Sequence, residues 1–268
     1  MSDQLTGASR LYPIIGDPVR YVQSPVWLTR TFAERGHNGL CIPIEVDEAG
    51  LDAVMRGLTA AANVDGVLVT MPHKNAAFAY CATSDPRASV FGGVSVLRRN
   101  PDGTWHGDML DGLAFVTAQQ ARGARIEGSR ALVVGAGAAG SAIAHALLDA
   151  GVAELALHDA DQAKVTALRE KLAGPGEGRV IEGSPDPAGF DLVFNATPLG
   201  LEPGDPAPLD VARLTAGMHV GDVIAGHGTT ALVAAARHVG ASTADGGHMV
   251  EAVQELMADF LLGRLAGS

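Results

Sequence analysis

Cysteine is almost absent from this chain of 268 residues: Cys41 and Cys81 are the only two. That excludes a disulfide framework and leaves two free thiols as the expectation. No C-x-x-C or H-E-x-x-H spacing occurs and the nine histidines are scattered, so no metal site is expected. Lysine is nearly as scarce, at Lys74, Lys164 and Lys171 only. Lys+Arg total 19 against 30 Asp+Glu, a formal charge of −11. Such a balance argues against a nucleic-acid partner, because neutralising phosphates needs clustered cations. No apolar run approaches the ~20 residues of a membrane span, and the opening MSDQLTGASR lacks the apolar stretch of a signal peptide. The expectation is a cytoplasmic protein with no membrane partner, working as a monomer or homodimer.

What is present is apolar. Hydrophobic residues make up 47% and charged residues 18%, which rules out disorder. Short apolar runs, each closed by turn residues, alternate with helical stretches. Leu11–Ile15, Leu40–Val46 and Val64–Thr70 read as strands, and Ser24 to about Arg35, Asp47–Ala62 and Lys74–Tyr80 read as helices. Ser24 is expected as an N-cap with Pro25 at the first helical position. Val94–Arg99 and Thr104–Gly107 flank Asn100-Pro101-Asp102-Gly103, a turn signal. A second block repeats the alternation from Arg130–Val134 to the helix Thr229–His238, and Asp245 to Leu262 forms a last helix. The pattern predicts an α/β fold with largely parallel sheets. We expect one domain over residues 1–112, completed by 243–268, and a second over 113–242. The last helix should return to the first domain, because Val253, Leu256, Met257, Phe260 and Leu261 recur at helical spacing.

Gly135-Ala136-Gly137-Ala138-Ala139-Gly140 fits G-x-G-x-x-G and lies between a strand and a helix, the context that makes this pattern informative. The first glycine makes the turn, the second admits a pyrophosphate, and the third packs helix on strand. The helix N-terminus offers free N–H groups to that anion. Asp159 follows at the end of the next strand, with Asp161 as a rival. A carboxylate there accepts from a ribose 2′-hydroxyl and repels a 2′-phosphate. No arginine lies from 152 to 168, so the reading is NAD over NADP, on a Rossmann-type domain.

Val67-Leu68-Val69-Thr70-Met71-Pro72-His73-Lys74 puts a lysine just past a strand end, where ligands of open α/β sheets bind. Trp105-His106-Gly107-Asp108-Met109-Leu110-Asp111-Gly112 puts an aspartate before a helix. With the glycine loop downstream and Asn195–Gly200 beyond it, the order resembles the shikimate/quinate dehydrogenase family over about residues 11 to 262. That resemblance implies an oxidoreductase moving a hydride between nicotinamide and the secondary alcohol of a hydroxylated ring acid. It makes Lys74 and Asp111 the catalytic pair, and Ser24 and Thr70 substrate contacts. Asn195, Thr197, Pro198, Gly200 and Met249 fall where the family lines the nicotinamide ribose.

Several family positions are altered. Val22 stands for the first serine of an S-x-S pair, Ser95 for an asparagine, Met109-Leu110 for Asn-Thr, and Ala225 for a tyrosine. Ser95, Tyr21 and Gln254 remain as candidate substrate contacts, Gln254 displaced by one position relative to the family. His158-Asp159-Ala160 lacks the family arginine that follows the second cofactor strand, which supports NAD again. His248 replaces a small glycine just before Met249. The resemblance therefore implies a divergent member whose substrate contacts have thinned. A non-catalytic NAD-binding sensor is the alternative. A methylene-tetrahydrofolate dehydrogenase layout is a weaker one, opposed by the P-H-K and M-L-D-G segments.

Overall fold

The computed structural model describes residues 5–20, 22–176, 178–202 and 204–265. The chain forms two compact units, Met1–Leu110 with Gln254–Ser268, and Asp111–Val253. The first holds strands β1 (Arg10–Gly16), β2 (Gly39–Glu45), β3 (Gly66–Val69), β4 (Cys81–Ser84), β5 (Val96–Arg99) and β6 (Trp105–Asp108). Its helices are α1 (Ser24–Glu34), α2 (Leu51–Ala60), α3 (Lys74–Phe78) and α4 (Pro86–Phe91). The sheet order is β2-β1-β3-β5-β6-β4. All four residues of β3 are buried, as expected of a central strand covered on both faces. Strand β5 alone runs antiparallel to its neighbours. The other five therefore end along one edge, the edge where β5 begins.

A guanidinium braces this unit. Arg99 donates Nε–H to the carbonyl of Val64 at 2.6 Å, and its Nη atoms donate to the carbonyls of Leu58, Thr59, Ala61 and Gly103. Its Cζ lies over the Trp105 ring, 4.4 Å from the centroid. One side chain thus satisfies the carbonyls that end α2 and the turn between β5 and β6.

The second unit opens with α5 (Asp111–Ala121) and continues through β7 (Arg130–Val134), α6 (Ala138–Asp149), β8 (Glu154–His158), α7 (Gln162–Lys171) and α8 (Ala173–Gly176). Then come β9 (Val180–Glu182), β10 (Leu192–Asn195), β11 (His219–Asp222), α9 (Ala231–His238), β12 (Ser242–Ala244) and α10 (Gly246–Leu261). Every pairing in the sheet is parallel, in the order β12-β11-β10-β7-β8-β9. The chain leaves β7 toward β8 on one side and returns through β10 on the other, so a topological switch point lies between β7 and β10.

The division at 253/254 falls later than the expected 242/243. Strand β12 pairs with β11, and Met249 packs on the apolar cluster around Phe115 and Phe194, so these residues belong to the second unit. The end of α10 packs on the first: the Phe260 ring stacks on His106 at 5.7 Å, and Arg98 lies over it. Ser24 is the first residue of α1 and Gln23 the N-cap, with no side-chain cap bond, which corrects the expected capping role. Cys41 and Cys81 form no disulfide. No helix of the described residues is long and apolar enough to cross a membrane.

His219 is buried in β11. Its Nε2–H donates to Gln119 Oε1 and its Nδ1 accepts from Ser242 Oγ, both at 2.8 Å. Gly221 makes room, since a Cβ there would stand 2.4 Å from Gln119 Oε1. Burial pushes the His219 imidazole down to about 4. The unfolded chain then binds a proton that the folded one refuses. This part of the stability is present above pH ~6.5 and is lost as pH falls toward about 4, on the order of 3 kcal/mol in all. Denaturant unfolding of wild type and His219→Gln across this range should show the slope in wild type and a flatter profile in the variant.

Candidate active site

In the first unit the site is built at the edge where β1, β3, β4 and β6 end. Gly16 closes β1 against β3 so tightly that a Cβ there would stand 2.4 Å from Thr70 Cγ2 and 2.9 Å from Met71 O. Thr70 N–H donates to Ile15 O, and Asp17 N–H to Met71 O. Three residues on, His73 is fully buried and its Nε2–H donates to Val46 O at 2.6 Å. Val46 N–H in turn donates to Gly16 O. His73 thereby anchors the backbone from which Lys74, half-buried at the start of α3, projects.

Ser95 lies just before β5 at the same edge, fully buried. Its Oγ accepts from Leu110 N–H at 2.9 Å, and its own N–H donates to Asp108 O at 2.8 Å. Asp108, also fully buried, accepts from Met109 N–H at 2.7 Å and forms an ion pair with Arg87. Burial raises the Asp108 carboxyl above the ordinary range and the Arg87 guanidinium opposes that rise. Asp111, half-buried, follows as the first residue of α5. Gln254 is half-buried on α10. Tyr21 lies outside the described residues.

In the second unit the loop after β7 is shorter than the motif suggests. Gly137 is the N-cap of α6, and Ala138, Ala139 and Gly140 form its first turn. Gly135 has φ 108° and lies so close to β10 that a Cβ would stand 2.7 Å from the Ala196 carbonyl carbon. A Cβ on Gly140 would stand 1.8 Å from Gly135 O. A Cβ on Gly137, by contrast, would meet nothing within 4 Å. The open side at Gly137, beside the N–H groups that begin α6, fits the phosphates of a dinucleotide.

Asp159 is spent on this loop. Its Oδ2 accepts from Ala136 N–H at 2.8 Å and its Oδ1 from Asp161 N–H at 2.9 Å. Burial works against the charge, but these two N–H groups, with Lys164 and His158 nearby, hold the carboxyl below its ordinary value. Asp161 is the N-cap of α7 and accepts from Ala163 N–H.

Asn195 ends β10 fully buried. Its Oδ1 accepts from the N–H and hydroxyl of Thr197, and its Nδ2 donates to Leu199 O and to Asp222 Oδ1. Asp222, at the end of β11, also accepts from Ile224 N–H and the Thr230 hydroxyl. Burial raises its carboxyl, and these three bonds oppose the rise. The network fixes the backbone of residues 195–200, with Pro198 exposed on it. His73, Arg87, Asp108, Asp222 and Thr230 were not among the expected site residues. Only a polar residue at a strand end marks Asp108 and Asp222 in the sequence.

A family model of the shikimate dehydrogenase substrate binding domain matches residues 14–97, and a model of the ThiF family matches residues 112–172. The chain is 37% identical to a shikimate dehydrogenase (NADP(+)) of Rubrobacter xylanophilus, over 91% of this chain and 87% of that protein. It is 36% identical to one of Anaeromyxobacter sp. strain Fw109-5, over 90% and 87%. A crystal structure of shikimate 5-dehydrogenase from Listeria monocytogenes, in complex with shikimate and NAD, superposes with a TM-score of 0.90. It is 25% identical and covers 97% of this chain and 93% of that one. The relatives named for NADP(+) overturn the expectation of NAD over NADP. That expectation had Asp159 facing a ribose hydroxyl, whereas both of its oxygens accept loop N–H groups.

The glycine geometry yields a test. Gly137→Ala should fold with an unchanged Tm, because its Cβ meets nothing. By filling the phosphate side of the loop it should weaken dinucleotide binding at least about ten-fold, ~1.4 kcal/mol by calorimetry.

Proposed function

The chain belongs to the shikimate dehydrogenase family, and from that premise we propose an NADP-dependent dehydrogenase that interconverts the secondary alcohol and ketone of a shikimate- or quinate-like ring acid. Its oxidoreductase class and its use of a nicotinamide dinucleotide follow from the relatives. The observation that carries the finer reading is the edge of the first sheet. Thr70, Lys74 and the turn leading into Asp111 gather there, outside the strand ends where such sheets take ligands.

Lys74 holds and relays the proton of the substrate hydroxyl, and Asp111 keeps the ammonium and that hydroxyl in line. The bound dinucleotide supplies or accepts the hydride. Thr70 and Ser24 contact the ring. Gly137 and the first turn of α6 receive the phosphates. Lys164, in the first turn of α7 with its charge acting on Asp159, is the cation offered to a 2′-phosphate. A non-catalytic sensor gains nothing from these observations: Lys74 and Asp111 are both kept, and the relatives reported above are named for an activity.

The reading is tested by following nicotinamide absorbance with shikimate, quinate and related ring acids, using NADP and NAD in parallel. Turnover with NADP is expected, and its absence for every ring acid overturns the reading. Lys74→Ala and Lys74→Met should each lower kcat by about 10²–10⁴-fold while leaving the dinucleotide Kd unchanged. Lys164→Ala should weaken NADPH binding and leave NADH binding as it was; equal losses for both would remove Lys164 from the 2′-phosphate.

A further inference from the structure

Asp111 is joined to β6 by only two residues, Met109 and Leu110. Three main-chain groups of this link are held within the first unit. Asp108 O accepts from Ser95 N–H, Met109 N–H donates to Asp108 Oδ1, and Leu110 N–H donates to Ser95 Oγ. The side chains leave no slack either. Leu110 is fully buried, and Met109 packs on the cluster that holds Trp105 and Val94. A Cβ on Gly93 would already stand 3.1 Å from Met109 Cε.

Two of these holders are expensive to keep. Asp108 is a fully buried carboxylate whose charge is balanced by Arg87, and removing one partner of such a pair leaves an uncompensated charge. Ser95 has its hydroxyl turned to a backbone N–H, at the position where the family has an asparagine and where a substrate contact was expected. Met109 and Leu110, standing for Asn-Thr, bring no polar side chain to the link.

From this arrangement, and resting on the function proposed above, we infer that Ser95 and the Arg87–Asp108 pair are positioning residues. They aim Asp111 by fixing the Asp108–Leu110 link, and Ser95 does so in place of touching the substrate. Displacing a catalytic group by about 1 Å costs up to ~10²-fold in rate, so the effect belongs in kcat.

Steady-state kinetics of Ser95→Ala, Arg87→Met and Arg87→Lys separate the alternatives. Ser95→Ala and Arg87→Met should each lower kcat about ten-fold or more, with KM for the ring acid and the NADPH Kd within ~3-fold of wild type. Arg87→Lys, which restores the cation, should recover most of the loss. A Ser95→Ala enzyme with raised KM and unchanged kcat would instead make Ser95 a direct substrate contact. A lowered Tm with both constants unchanged would make the frame structural only. Either result overturns the inference. A further measurement stands if wild type turns over no ring acid, the result that sinks the proposed function alone. The chain has three lysines, so reductive ¹³C-methylation gives three ε-methyl signals, assigned with Lys→Arg variants. If Asp111 acts on Lys74 as proposed above, the Lys74 signal should move in Ser95→Ala and in Arg87→Met and return in Arg87→Lys. A signal that stays in place in both variants overturns the positioning role.

Discussion

Three glycines let main chain touch main chain where any side chain would stand between. Gly140 rests on the carbonyl of Gly135, Gly135 on that of Ala196, and Gly112 on that of Ala142, where a Cβ would stand 2.1 Å from the oxygen. The first two join loop, helix and neighbouring strand at the switch point between β7 and β10. The third brings α5 onto α6 at the residue after Asp111. The helix that opens with the aspartate and the helix that opens with the dinucleotide loop are therefore packed at backbone distance. Interiors packed at this density do not deform gradually, so loop, strand end and aspartate hold one arrangement.

Within each unit, polar side chains at the strand ends are used chiefly on the chain itself. Ser95, Asp108, Asp159, Asn195 and Asp222 each accept main-chain N–H groups of a neighbouring loop. Buried acceptors suit this work, since an unpaired buried N–H costs about as much as a lost hydrogen bond. The result, in each unit, is a set of strand-end loops braced by the chain's own side chains. At Gly137 the backbone itself stays open, since a Cβ there would meet nothing within 4 Å.

Much of this was legible in the sequence, and the remainder had a physical reason to be hidden. The buried strands β3 and β7 announced themselves as apolar runs, and the glycine loop by its place between strand and helix. Strands β4 and β9 escaped notice because they are short and partly exposed, with no apolar run or alternation to show. Asp159 was read correctly as a strand-end acid, yet its partners depend on how the loop folds back over β8, which spacing does not encode. Ser24 looked like a helix cap by residue type, but the helix starts one residue earlier than such a cap needs. Ser95 was visible only as a departure from a pattern; its bond to Leu110 joins the residues that flank the two strands of a hairpin and appears only once the hairpin has closed.

Arg99 has an evolutionary corollary. All five of its N–H donors are engaged by carbonyls of residues 58–64 and 103, with an indole face beneath. No lysine can reproduce this, having three donors and no plane. The end of α2, the entry to β3 and the hairpin turn are thus inherited as one unit. A single added or deleted residue in either loop disturbs this set of bonds, four of them to residues 58–64 and one to Gly103. Such changes can be retained only in combination, so across descendants these loops should keep their lengths together while the ligand-facing positions continue to drift.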